Sequence, residues 1–399
     1  MIKRDRLGVG FPTITRKTAQ NVLQVLKNER LSYGPFTQKF EKDFAKQHGC
    51  QFGLMVNSGT SALQIAIACL AERHHWKPKD EVIVPAVTFV ATSNIVIQQG
   101  FKPVFVDVDA RTYNIDPANI EAAITPRTRA IIAVHLFGQP ADMAAVNRIA
   151  KKHRLRVVED SCETMFATYH GKSVGSLSDI GCFSTYACHI LVTGVGGLVT
   201  TNNPRYATLL RSLANHGRDG IYTSMDDNRR RGKALTQIVE KRFRFIRNGY
   251  SYRVSEFEGA VGCAQLDIAP RLIRARIRNA TRLTKALKPF ASVVQLPWHP
   301  PHVTHSYMMY PIVIQPRAGI KKKDLVMYLE RHGVETREML PLVNQPYYRK
   351  HHKVRETDYP VARWINRNGF YVGCHPEMGI REIDHVAMVL KRALSKYLK

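Results

Sequence analysis

Gly181-Cys182-Phe183-Ser184-Thr185-Tyr186-Ala187-Cys188-His189-Ile190-Leu191-Val192-Thr193-Gly194-Val195-Gly196-Gly197 is the stretch on which the reading of this chain turns. Its first residues, Gly181 to Ser184, have the short β-rich character of a buried strand, and Gly197 opens a second such run that continues to Thr201. Between the two runs stands His189. A lone histidine is by default a hydrogen-bonded core residue. With an ordinary pKa of about 6.5, an imidazole can also move protons near neutral pH. The fold around it decides between these readings.

Outward from this stretch, β-rich runs recur at Gly53 to Val56, Glu81 to Val84, Pro103 to Asp107, Ala130 to Val134 and Arg156 to Glu159. Helical patterns separate most of them, including Ser61 to Leu70 and Ala141 to His153. Such alternation predicts an α/β fold around a mostly parallel, buried sheet. After about residue 250 the pattern changes to a long basic amphipathic helix around Leu266 to Leu287, a strand at Met309 to Ile314, and helices near Lys323 to Arg331 and Ile383 to Tyr397. The expected division is a large domain over residues 1–250 and a smaller C-terminal α+β domain over 251–399. Ser224 to Lys233 reads as an exposed polar loop.

A chain of 399 residues with 44% hydrophobic content can bury substantial cores. No apolar run approaches the ~18 residues of a membrane helix, and no apolar signal core follows Met1-Ile2-Lys3-Arg4-Asp5-Arg6, so a cytoplasmic location with no membrane partner is expected. The seven cysteines form no Cys-x-x-Cys pair, which favours reduced thiols and argues against a metal. Lys and Arg number 59 against 32 Asp and Glu, a formal charge of +27. Three readings of that charge stay open: a solvated surface, a funnel for a diphosphate, and nucleic-acid binding. The last is weakened because the basic residues recur along the whole chain without a zinc-finger or RNP-type signature.

Three strand ends carry candidate chemistry. Asn57-Ser58-Gly59-Thr60-Ser61 opens a helix with small residues, so Ser58, Gly59 and Thr60 can either cap that helix or present amides and hydroxyls to a phosphate. Pro85 to Ser93 follows the next strand, with Phe89 and Thr92 readable as core or as site residues. Glu159-Asp160-Ser161-Cys162-Glu163 closes a third, where Asp160 can be a cap, a surface charge or a partner for a protonated ring nitrogen.

The order of these segments resembles the DegT/DnrJ/StrS family of sugar aminotransferases over nearly the whole chain. Leu31-Ser32-Tyr33-Gly34-Pro35, the Ser-Gly-Thr segment, Pro103 to Asp109, His135-Leu136-Phe137-Gly138-Gln139-Pro140, Glu159-Asp160 and Gly175-Ser176 ahead of Phe183-Ser184 all fall in the family's sequence. The resemblance implies fold type I, the aspartate-aminotransferase-like class of pyridoxal-phosphate-dependent transferases, and a homodimer with active sites at the subunit interface. It implies that Phe89 stacks on the pyridine ring with Thr92 nearby, that Asp160 faces the ring nitrogen, and that Ser58, Gly59, Thr60, Glu163 and Ser184 belong to the cofactor site.

His189 stands where the family carries its Schiff-base lysine, a substitution found in its nucleotide-sugar 3-dehydratases. Gly333-Val334-Glu335-Thr336-Arg337 with Asn344-Gln345-Pro346, and Asn368 to Pro376, resemble segments of the same branch. The branch implies pyridoxal or pyridoxamine phosphate held noncovalently, His189 as catalytic acid and base, and a nucleotide-linked 4-keto-6-deoxy sugar losing its 3-hydroxyl while glutamate regenerates the pyridoxamine form. Arg337 is read either as a substrate contact, for which its planar fork is suited, or as a structural ion pair. Departures from the family are Val195 in place of a glutamate and Ser251 in place of an asparagine that reaches the partner subunit's phosphate; Ser251 is kept as a weaker substrate-site candidate. A sugar aminotransferase of the same family is the nearest alternative, and a noncatalytic cofactor- or polyanion-binding protein is the alternative from another class.

Overall fold

The computed structural model describes residues 7–219 and 231–397. Seven strands form the main sheet: β1 Phe52–Val56, β2 Glu81–Pro85, β3 Lys102–Val106, β4 Thr128–Val134, β5 Arg156–Asp160, β6 Ile180–Ser184 and β7 Gly197–Thr201, in the spatial order β1-β7-β6-β5-β4-β2-β3. The pairs β2/β3, β2/β4, β4/β5 and β5/β6 are parallel. β7 runs antiparallel to both β6 and β1, so it alone breaks the common direction. The expected α/β architecture with a mostly parallel sheet is the one observed.

Because six strands point the same way, their carboxyl ends share one edge. The loops after Val56, Pro85, Val134, Asp160 and Ser184 therefore converge at the crevice where open α/β sheets bind ligands. Strands β2, β4 and β6 are buried along most of their length, as a sheet covered on both faces requires. The helix after β1 spans Gly59–His74 and is buried on nearly every side through residues such as Ala62, Ile65, Ile67 and Leu70.

A second sheet holds the strands β8 Val294–Gln295, β9 Tyr310–Ile314, β10 Thr336–Glu338 and β11 Gly369–Val372, in the order β8-β9-β11-β10 and antiparallel throughout. Its core gathers Ile312, Ile314, Phe370 and Val372 with residues of the helices Lys322–Arg331 and Ile380–Leu394. The long helix Glu256–Leu287 joins the two cores: Leu266 and Leu272 belong to the first, Leu283 and Leu287 to the second. It starts at Glu256 and not at Leu266, because Glu256 has a partner far away in sequence. Its buried carboxylate accepts from the amides of Gly34 (2.6 Å), Phe36 (2.5 Å) and Thr37 (3.2 Å), capping the helix Pro35–Gln47 with the charge that a helix N-terminus favours.

Ser224 to Arg230 of the expected loop lie outside the described residues, and Gly232 and Lys233 already open a helix that runs to Lys241. Among the described residues no helix is long and apolar enough to cross a membrane.

Candidate active site

At the carboxyl edge of the main sheet lies a cavity of about 460 Å³. Its walls take Ser58, Gly59 and Thr60 from the first crossover, Phe89 and Thr92 from the second, Asp160 and Glu163 from the end of β5, and Ser184 and His189 from the loop after β6. Arg337 closes the side formed by the smaller sheet. Ser251 is not among these residues; it lies exposed beside Arg253, whose guanidinium donates to its hydroxyl at 3.1 Å.

Ser58 has extended backbone angles, and its hydroxyl accepts from the Ser61 amide at 3.0 Å, so it caps the helix Gly59–His74 as such residues do. Capping leaves the first-turn amides of Gly59 and Thr60 without a carbonyl one turn earlier, and they stand at the cavity wall. Gly59 is required sterically: a Cβ there would come within 2.8 Å of both the Cys162 sulfur and the Ser184 Cβ. Phe89 is 57% exposed, which removes the reading as a core residue and leaves an aromatic face at the cavity.

Asp160 is 4% exposed. Its carboxylate accepts from the Thr92 hydroxyl at 2.7 Å and the Cys162 amide at 3.2 Å, and Thr92 is itself held by Thr88 at 2.8 Å. No cation pairs with it within 4 Å among the described residues. Burial therefore pushes the carboxyl above its usual range, and the bonds from Thr92 and Cys162 oppose that push. The preceding Glu159 has a different task, since it binds His135 at 3.0 Å and the amides of Gly175 and Leu177, holding the strand end in place.

The His189 ring borders the cavity but is set below the molecular surface. Nδ1 lies 2.6 Å from the Cys162 carbonyl, which can only accept, so Nδ1 carries the proton and Nε2 keeps its lone pair. Burial lowers its pKa from the ordinary 6.5 to about 4, the backbone bonds to Cys162 and Ser184 opposing and the Arg276 charge assisting. The ring is therefore neutral through the physiological range, further from protonation than an ordinary histidine. Glu163 shifts the other way: burial, opposed by the Phe137 amide bond at 2.9 Å, raises its carboxyl from 4.5 to about 7. Arg337 ion-pairs with Glu335, as its structural reading expects, and stands at the cavity wall.

Tyr186, Cys188, Met308, Leu340 and Tyr371 also line the cavity and were not anticipated. Tyr186 meets His189 edge-on with ring centres 6.1 Å apart. Tyr371 lies in the Asn368 to Pro376 segment already singled out, yet only the pairing of β11 with β9 and β10 tells which of its residues turns inward.

These elements define a fold type I enzyme of the pyridoxal-phosphate class. The chain belongs to the DegT/DnrJ/EryC1/StrS aminotransferase family, which it matches over residues 12–391, and is thereby a sugar-modifying enzyme of that class. It is 32% identical over 391 residues to the GDP-perosamine synthase of Caulobacter vibrioides, covering 98% of this chain and 98% of that one. To the GDP-4-keto-6-deoxy-D-mannose 3-dehydratase of Yersinia pseudotuberculosis it is 30% identical, covering 97% and 100%. A solved structure of the Escherichia coli GDP-4-keto-6-deoxy-D-mannose-3-dehydratase with bound hydrated pyridoxal phosphate superposes with a TM-score of 0.86 at 28% identity, over 98% of this chain and 100% of that one. Similarity thus extends to aminotransferases and dehydratases alike.

Proposed function

We propose that this enzyme removes the 3-hydroxyl of a nucleotide-linked 4-keto-6-deoxy sugar, using noncovalently held pyridoxamine phosphate that glutamate regenerates. The observation that carries this reading is His189: an imidazole whose Nδ1 is committed to the Cys162 carbonyl borders the cavity where the resemblance puts the family's lysine, and no lysine is among the described residues lining the cavity. The cavity suits the cofactor. A buried carboxylate without a cation in reach, an exposed aromatic face and a helix N-terminus match a protonated pyridine, its ring and its phosphate respectively.

When bound, pyridoxamine phosphate supplies an amine that condenses with the 4-keto group and a ring that draws off electrons. Asp160 would face the ring nitrogen and keep it protonated, its own carboxyl being held ionised by that charge. Phe89 would cover the ring face, and the amides of Gly59 and Thr60 would hold the phosphate. Thr92 and Ser184 fix the surrounding strand ends. His189 Nε2 would accept a proton at this end of the cavity and deliver it to the 3-hydroxyl, which would leave as water. A pKa near 4 makes the protonated imidazole a stronger acid than usual, which suits the second half of that transfer. Arg337 is assigned to the substrate, and Ser251 enters only through the partner in a homodimer.

The test is cofactor attachment together with a change of base. Borohydride treatment of the pyridoxal-phosphate complex should leave the cofactor removable on denaturation, and His189→Lys should retain it covalently and yield aminated sugar. A reduced pyridoxyl group on any lysine of the unaltered protein would overturn the noncovalent reading.

A further inference from the structure

The guanidinium of Arg276 is buried beneath the cavity with the residue 1% exposed, and no carboxylate lies within 4 Å of it among the described residues. A cation in that setting is strongly disfavoured unless its surroundings compensate. Among the described residues its hydrogen bonds all go to main-chain carbonyls: Nη1 donates to Met308 at 2.9 Å and to Tyr307 at 3.3 Å, and Nη2 to His189 at 3.4 Å. Nε has no hydrogen-bond partner among the described residues. Helix stability does not require this arrangement, because a methionine or leucine would fill the same space without a buried charge.

Two of the three carbonyls belong to residues of the cavity wall, Met308 and His189. The fork therefore ties the His189 loop to the strand segment ahead of β9, two pieces of chain far apart in sequence. Few other bonds hold that peptide: the His189 amide donates to Tyr186 at 2.8 Å, within its own loop, and the imidazole reaches Cys162. Resting on the reading of His189 as the proton-transfer group, we propose that Arg276 is its positioning residue, pinning the His189 peptide to the Met308 wall and placing an unneutralised positive charge behind the imidazole.

The electrostatic consequence agrees in direction, since Arg276 is the charged neighbour that lowers the pKa of His189. The other titratable groups at the cavity are Asp160, Cys162, Glu163, Tyr186, Cys188, Arg337 and Tyr371. Of these, Cys162 stays a neutral thiol because burial raises it well above its ordinary value, and Arg337 is paired with Glu335. Protonation of His189 is thus discouraged from behind, so a proton taken up at Nε2 is passed on instead of being stored.

Arg276→Lys and Arg276→Met separate the clamp from the charge. The holoenzymes would be assayed for kcat and KM across pH, and the pKa of His189 read from deuterium uptake at its imidazole C2 by mass spectrometry. Arg276→Met should lose on the order of 100-fold in kcat with KM changed less than about 3-fold, and the His189 titration should move up from its low value while burial keeps it below that of an ordinary histidine. Arg276→Lys should retain the low titration and lose about 10-fold in kcat, because charge survives and the three-carbonyl fork does not. Unchanged His189 titration in a folded Arg276→Met protein would overturn the electrostatic role, and unchanged kcat in both variants would overturn the clamp. If Arg276→Met does not fold, Arg276→Lys at parent kcat is by itself sufficient to overturn the proposal. The titration is independent of which sugar product forms, so an aminated product with a shifted titration would fell the dehydratase reading and leave Arg276 in place.

Discussion

At the scale of single residues, the cavity holds two groups whose pKa values burial has driven in opposite directions, His189 down to about 4 and Glu163 up to about 7. The Glu163 shift has a thermodynamic signature. The fold favours its protonated form, so the stability it contributes is complete below its ordinary 4.5 and is lost as pH rises toward 7, on the order of 3 kcal/mol in all. Glu163→Gln should abolish that slope, and urea unfolding at pH 4.5 and 7.5 measures it; equal slopes in parent and variant would show that Glu163 ionises as if exposed. How much of this was legible beforehand differs by residue. Asp160, Phe89 and the Ser58-Gly59-Thr60 turn were visible because each follows a β-rich run, and the cavity brings all of them to His189. The Cys162 carbonyl that sets the His189 tautomer and the Arg276 fork were invisible, since main-chain acceptors carry no sequence signal.

Among elements, the strands of the main sheet were readable because short apolar runs alternate with helical periodicity. The first part of the long helix was not. Gly259 and Gly262 argue locally against a helix, yet both serve close packing: a Cβ on the first would come within 2.5 Å of the Thr37 amide and on the second within 2.6 Å of the Phe40 ring. The helices Arg16–Lys27 and Pro35–Gln47 were also passed over, being short and largely polar segments, the second of them capped from outside by Glu256. The turn into the helix Gly59–His74 carries the sharpest prediction at this scale. Gly59→Ala should force that helix away from Cys162 and Ser184, costing about 1–3 kcal/mol of stability and weakening pyridoxal-phosphate binding at least 10-fold. Parent-like affinity by absorbance titration would mean that the helix N-terminus does not bear on the phosphate.

Across the whole molecule, His48, His189 and His305 stand out among the described residues, each with its pKa depressed to about 3 or 4 by desolvation. A lowered histidine pKa contributes stability that is present above about 6.5 and lost as pH falls through the folded value. Thermal unfolding should therefore shift down by several degrees or more between pH 7 and pH 4, outweighing the opposite contributions of the raised carboxyls of Glu163 and Asp160; an equal midpoint at the two values would contradict this. In the proposed dehydration, activity depends on the same neutral state of His189. The most direct measurement incubates the protein with pyridoxal phosphate, glutamate and GDP-4-keto-6-deoxymannose, alongside other nucleotide 4-keto-6-deoxy sugars, and reads product masses. The expected product is a sugar that has lost its C3 oxygen and gained no nitrogen, formed at least about 100-fold more slowly by His189→Asn. A product carrying nitrogen in place of the keto oxygen, or undiminished dehydration by His189→Asn, would contradict it.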